Sequence, residues 1–129
     1  MAWGNFLLDV GFNSASVLTK YRAVKLSAAE QVTVVTAIAD RPIGWSQFDI
    51  SAAELAKNKG ASVRVWGITE AECAGIVNVG DMCQLETDGR VTALVGASGK
   101  RIVGQCVGDP SATAGDRISM LILLGGAVA

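Results

Sequence analysis

The chain has 129 residues, half of them apolar and 18% charged, with a net charge of −1 and a pI near 5.3. That length suits one domain hiding roughly two thirds of the surface its unfolded form exposes, and without a basic field to attract phosphates, nucleic acid is not an expected partner. A mean hydropathy of +0.40 is rich for this size, so the surplus apolar surface is sealed either inside the chain or by partner subunits.

Residues 1–19 show no sustained period: Trp3, Phe6, Leu7, Leu8, Val10 and Phe12 are interrupted by Gly4, Gly11 and Asn13. Such a segment has no amphipathic face to lay on its own domain. It is expected as an extended arm, ahead of a single β domain over residues 20–129. Trp3, Phe6, Leu7, Leu8 and Phe12 are its candidate contacts to a partner. The first dozen residues lack the positive start and long apolar core of a signal peptide, so secretion is not expected.

Residues 21–26 alternate in strand fashion, with the stem of Arg22 able to lie along a half-buried face. Ser27 to Glu30 reads as a turn, because Gln31 to Ala39 is dense in Val, Thr and Ile, which prefer a pleated surface. Pro42 opens a short strand over residues 43–48, where its missing N–H does least harm. Ser51-Ala52-Ala53-Glu54 is a capping box that starts one short helix, stopped by Asn58 and Gly60.

Val63, Val65 and Ile68 mark the next strand, on which Arg64 and Trp66 share the opposite face. Trp66 serves there either as a stacking surface for a sugar or partner, or as cover for a second hydrophobic layer. Residues 82–87 and 91–95 are two strands joined by Asp88-Gly89-Arg90, an Asp-Gly hairpin signal expected to form a tight primed turn. Residues 100–107 and 117–124 form a further pair, with Gly108-Asp109-Pro110 and Ala114-Gly115-Asp116 supplying turns. The last strand is apolar on both faces: Ile118, Met120, Ile122 and Leu124 on one, Leu121 and Leu123 on the other. It needs cover on both sides. About eight short strands with glycine punctuation predict an all-β fold, a small barrel or sandwich with one short helix. The longest uncharged run, residues 118–129, is too short for the roughly 20 residues of a membrane span.

The absence of histidine removes Ser-His-Asp and Cys-His mechanisms and the usual catalytic zinc sites. The acid pairs Glu70 and Glu72, Glu86 and Asp88, Asp109 and Asp116 are expected in or beside turns, facing water. Gly96-Ala97-Ser98-Gly99-Lys100 is glycine-rich like a phosphate loop, but Leu94 stands where the first glycine belongs and Arg101 where Ser or Thr would hold magnesium. Cys73, Cys83 and Cys106 are odd in number and have no C-x-x-C spacing, so they are expected as free, buried thiols made in a reducing compartment. No catalytic, cofactor or metal site is expected.

With the strands placed, a collinear series of short motifs resembles the bacteriophage capsid cement (head decoration) proteins. It comprises Arg22-Ala23-Val24-Lys25-Leu26, Asp40-Arg41-Pro42-Ile43-Gly44, Val63-Arg64-Val65-Trp66-Gly67, Val79-Gly80-Asp81, Asp88-Gly89-Arg90-Val91, Ile102-Val103-Gly104 and Ala114-Gly115-Asp116-Arg117-Ile118. Together these cover residues 20–124. The resemblance implies a small β-rich virion protein, made in the bacterial cytoplasm, that sits on the outside of an assembled phage head and stabilises it. Its partners would be the major capsid protein and its own copies, as a homotrimer, with neither nucleic acid nor membrane involved. The shared positions are turns and core, so no functional residue carries over; the candidate interface is Trp3, Phe6, Leu7, Leu8, Phe12 and Trp66. Two other readings stand beside it: a carbohydrate-binding module using Trp45 or Trp66 as a platform, and a hydrolase with two acids converging in one cleft.

Overall fold

The computed structural model describes residues 7–95 and 101–124. Among them the chain is all-β apart from one short helix, and it forms a closed five-stranded barrel followed by a five-stranded sheet. The barrel comprises β1 (Leu8–Ser14), β2 (Ala23–Ala28), β3 (Gln31–Val34), β4 (Gly44–Ser46) and β5 (Ala61–Trp66), in the order β1-β3-β2-β4-β5 with β5 closing on β1. The helix α1 (Ala52–Ala56) lies in the β4–β5 connection. The sheet comprises β6 (Ile68–Glu72), β7 (Met82–Leu85), β8 (Val91–Ala93), β9 (Gly104–Gly108) and β10 (Arg117–Ile122), in the order β6-β10-β9-β7-β8. A bridge between Cys73 and Val91 ties its two edges together at one end.

The expected free arm is corrected by the structure over residues 8–14, which form β1. Val10 stands opposite Val63 and Phe12 opposite Ala61 in the antiparallel β5 ladder, while Asn13 and Ser14 run parallel to β3. The local pattern hides this because a register shift falls between Leu8 and Asp9, and because strand pairing is decided by partners far along the chain. Leu18, also assigned to the arm, is 2% exposed and bridges to Ile50. Residues 1–6 lie outside the described residues.

Two apolar clusters hold the molecule. Leu18, Val24, Val32, Ile50, Ala61 and Val63 fill the barrel, with Phe12, Val34, Ile43, Leu55 and Val65 packed against them. The larger cluster joins barrel to sheet: Ala23, Val35 and Trp45 from the first half pack with Leu85, Val91, Ile118, Met120 and the three cysteines of the second. Alternation explains the arrangement, since Ala23 and Val24 are neighbours that point to opposite faces of β2 and so serve different clusters.

Tyr21 was expected to open a strand, yet β2 begins at Ala23 because Tyr21 has φ +64, a left-handed conformation that bulky residues rarely adopt. Its backbone is fixed from both halves, donating to the Ser46 carbonyl at 2.7 Å and accepting from Glu72 N–H at 2.9 Å. The capping box of α1 forms as expected: Ser51 Oγ accepts from Glu54 N–H, and a Glu54 carboxylate oxygen accepts from Ser51 N–H. Asn58, at φ +58, follows the helix end.

The single strand expected across residues 63–68 is two. Gly67, at φ +98, turns β5 into β6 and carries the chain from barrel to sheet. The Asp88-Gly89 hairpin is present, pairing Leu85 with Val91, but its turn differs from expectation. Gly89 alone has positive φ, its N–H reaches the Glu86 carbonyl, and Glu86 N–H donates to the Arg90 carbonyl at 2.8 Å. This is a longer loop with one left-handed residue. Asp88 secures it by accepting from Arg90 N–H and Nε.

Candidate functional site

Trp66 stands just before the Gly67 corner and is 67% exposed. Across the ladder it faces Leu8, itself 52% exposed. Beside this pair, Arg64 forks onto Asp9, Nε to Oδ1 at 2.8 Å and Nη2 to Oδ2 at 3.1 Å, and its Nη1 donates to the Ile68 carbonyl at 3.2 Å. A bidentate guanidinium of this kind stiffens the backbone on both sides of the corner. Ile122 N–H donates to the Gly67 carbonyl at 2.9 Å, so β10 ends at the same place and leaves Leu124 exposed beyond it.

Of the candidate interface residues, Leu7, Leu8 and Trp66 therefore gather as exposed apolar groups around one corner. Phe12 does not join them, because it packs against the barrel interior. Trp3 and Phe6 lie outside the described residues. Arg64 and Trp66 do face away from Val63, which is fully buried, and Val65, which packs against the barrel core.

Trp45, the other candidate sugar platform, is fully buried between barrel and sheet, with no hydrogen-bond partner for its indole N–H among the described residues. A ring enclosed on both faces offers nothing to stack upon, so a glycan site built on Trp45 is ruled out.

The three thiols are buried and free. Desolvation pushes Cys83 up to about 12 and Cys73 up to about 11, and it raises Cys106 as well. Protonated thiols in a dry interior are poor nucleophiles and poor metal ligands. Among the described residues no group of three or more Cys, Asp or Glu is placed to hold a metal ion.

The acids are engaged in building the fold. Asp116 accepts from the Ala112 and Thr113 N–H groups, and Asp109 from the Ser119 hydroxyl at 2.8 Å. Glu86 accepts from Thr92 Oγ1. Glu70 and Glu72 were expected beside a turn but lie within β6. Glu72 receives Arg22 Nη2 at 3.0 Å, with Arg90 Nε at 3.9 Å, while Arg117 lies over the Tyr21 ring at 4.8 Å. These side chains form a polar seam between barrel and sheet. The glycine-rich loop of residues 96–100 lies outside the described residues.

A cleft of about 610 Å3 runs along β1, lined by Val10, Gly11, Phe12, Asn13, Glu30, Gly60 and Ala61. No feature of the sequence announces it, because its lining is brought together from β1, the turn at Glu30 and the start of β5, which lie far apart along the chain.

No family model matches the chain, and no curated protein does. A solved structure does: the head fiber gp8.5 N base in bacteriophage phi29 superposes with a TM-score of 0.67 at 14% identity, covering 94% of this chain and 98% of that one. At that identity the likeness is one of fold, extending over both the barrel and the second sheet.

Proposed function

We propose that this chain is a structural protein of a phage virion, which binds the outside of the assembled head through the major capsid protein and stabilises it without catalysis. The observation that carries the reading is the fold shared, over nearly the whole of both chains, with a piece of a phage head fiber. The collinear motifs that resemble capsid cement proteins support it independently, because they are a feature of the sequence and the likeness at 14% identity is one of backbone fold. Self-association of the chain is part of the proposal.

The exposed apolar corner around Leu7, Leu8 and Trp66 is the surface assigned to the head. It combines a large aromatic with aliphatic neighbours and an ordered ion pair at its rim, the composition of an interface centre. The test is to mix purified chain with undecorated heads of the phage that encodes it and to sediment them. Stoichiometric co-sedimentation, lost in Trp66→Ser, is the expected result. No binding of the wild-type chain at micromolar concentration would sink the reading.

A further inference from the structure

Among the described residues, the N-terminal half of β1 has one paired edge and one bare one. Two hydrogen bonds settle which backbone groups face which way. Asn13 N–H donates to the Glu30 carbonyl on the β3 side of β1, and Gln47 N–H donates to the Ser62 carbonyl, which therefore points to β4 and away from its β1 partner Gly11. Backbone groups alternate along a strand. Both observations put the N–H and C=O of Asp9 and Gly11 on the side away from β5. β3 meets β1 only at Asn13 and Ser14, so among the described residues nothing pairs with Asp9 or Gly11 on that side.

The bare edge is also reachable. Gly11 is exposed, no atom lies within 4 Å of where its Cβ would be, and the cleft of about 610 Å3 runs beside it. Strand edges of this sort are ordinarily blunted by lysine, proline or a covering loop. Residues 8–12, Leu-Asp-Val-Gly-Phe, contain neither lysine nor proline.

We infer that this edge pairs with the same edge of a second copy, antiparallel about a twofold axis at Val10. The sequence is self-complementary in that register: Val10 meets Val10, Asp9 meets Gly11, and Leu8 meets Phe12 of the second copy. The one charge falls opposite a glycine, so no like charges oppose each other. Val10 directs its own backbone groups to β5, which makes the Val10 pair non-hydrogen-bonded, and the two Asp9–Gly11 pairs then exchange four main-chain hydrogen bonds. A twofold interface is isologous and closes on itself, leaving no bare edge to propagate. It joins copies in pairs, in place of the threefold that the family resemblance implies, and it deepens the self-association in the proposed function while standing independently of head binding.

The test uses the full chain. Val10→Cys should form an intermolecular disulfide on mild oxidation, because non-hydrogen-bonded antiparallel partners have Cα atoms about 4.5 Å apart, within the range disulfides accept. The three native thiols are buried and do not compete. Cross-linking at least ten-fold above an Ala53→Cys control on the exposed helix is the expected result. Gly11→Pro removes an N–H with no partner among the described residues and should weaken the dimer at least ten-fold, while Gly11→Ala, which keeps it, should stay within about three-fold. In wild type, the Asp9 and Gly11 amides should be protected from hydrogen exchange in a concentration-dependent way, a reading that requires no variant to fold. A mass that stays at the 13.3 kDa of one chain at about 1 mM, a concentration that saturates even a Kd in the micromolar range, would overturn the inference. So would fast exchange of both amides in an assembled oligomer. Head binding is scored separately by sedimentation, so a monomer that binds heads refutes the pairing alone, and a dimer that ignores heads refutes only the virion reading.

Discussion

The barrel and the second sheet differ in how far each accounts for its own core. The barrel encloses Leu18, Val24, Val32, Ile50, Ala61 and Val63 within its own strands and connections. The sheet has no such independence: the cluster around Met120 and Ile118 is completed by Ala23, Val35 and Trp45, all contributed by the barrel. A closed barrel has a natural inside, whereas a sheet needs something laid against its apolar face. The barrel's outer wall is that covering element, with Trp45 as its largest piece.

The comparison breaks most severely if the barrel is opened. Deleting residues 2–13 removes most of β1 and leaves β5 paired to β4 alone, so the barrel opens and loss of the cooperative fold is expected, checked by circular dichroism and calorimetry. A truncated chain that melts like wild type would mean that β1 is dispensable to the barrel.

Trp45→Ala comes next. It empties the space between the halves, costing about 3–5 kcal/mol by the usual scale for large aromatic truncations. Its indole N–H has no partner among the described residues, so Trp45→Phe should cost much less. Urea unfolding followed by fluorescence and by far-UV dichroism should remain coincident for Trp45→Phe and separate for Trp45→Ala, the sheet losing structure before the barrel.

Two glycines sharpen the contrast further. A Cβ at Gly44, in the barrel, would run into the Arg64 carbonyl, which is backbone and cannot swing aside. A Cβ at Gly104, in the sheet, would meet Met120 Sδ at 2.5 Å and Cγ at 2.6 Å, a flexible side chain, with the Leu121 carbonyl at 2.7 Å behind it. Gly104→Ala should cost about 1–3 kcal/mol as ordinary overpacking, and Gly44→Ala more than that. Chemical denaturation of the two variants decides the order.

Smaller effects come from the rims. Ser51→Ala removes the cap of α1 and should cost about 1 kcal/mol, measured by thermal unfolding. Asp40 is held below the usual carboxylate range by the hydrogen bond from Lys25, aided by the Thr36 and Ala37 N–H groups. A depressed folded-state pKa gives stability that is present above the unfolded value, near 4, and is lost as pH falls through the folded one. Asp40→Asn should therefore lower stability at pH 7, by less than about 1 kcal/mol for a pair this close to solvent, and have a vanishing effect in strong acid. An equal penalty at pH 7 and in strong acid would mean that the carboxylate charge is not what matters.

Much of this was legible in the residues themselves. Alternation, turn chemistry and the capping box located β2, β4, α1, the β7–β8 hairpin and the β9–β10 pair, because those signals are local and each element carries its own. That the three thiols are free and buried was expected from their odd number, the lack of C-x-x-C spacing and the apolar residues around Cys83 and Cys106. Other features had no local signature. That residues 8–14 close a barrel depends on β5 lying about fifty positions downstream; that Trp45 is enclosed while Trp66 stands in solvent depends on which face of the barrel the sheet covers. Both tryptophans occupy similar strand patterns, and only the packing of one half against the other separates them. The bare edge beside Gly11 is of the same kind, since it exists only because β3 meets β1 for two residues and then turns away at Glu30. Sequence determined most of the strands, though not β1 or the break at Gly67 between β5 and β6, because that preference is written in short-range sterics and alternation. Tertiary structure decided which strands pair, which faces are hidden and which edge is left open, because those outcomes are set by contacts between residues that the chain keeps far apart.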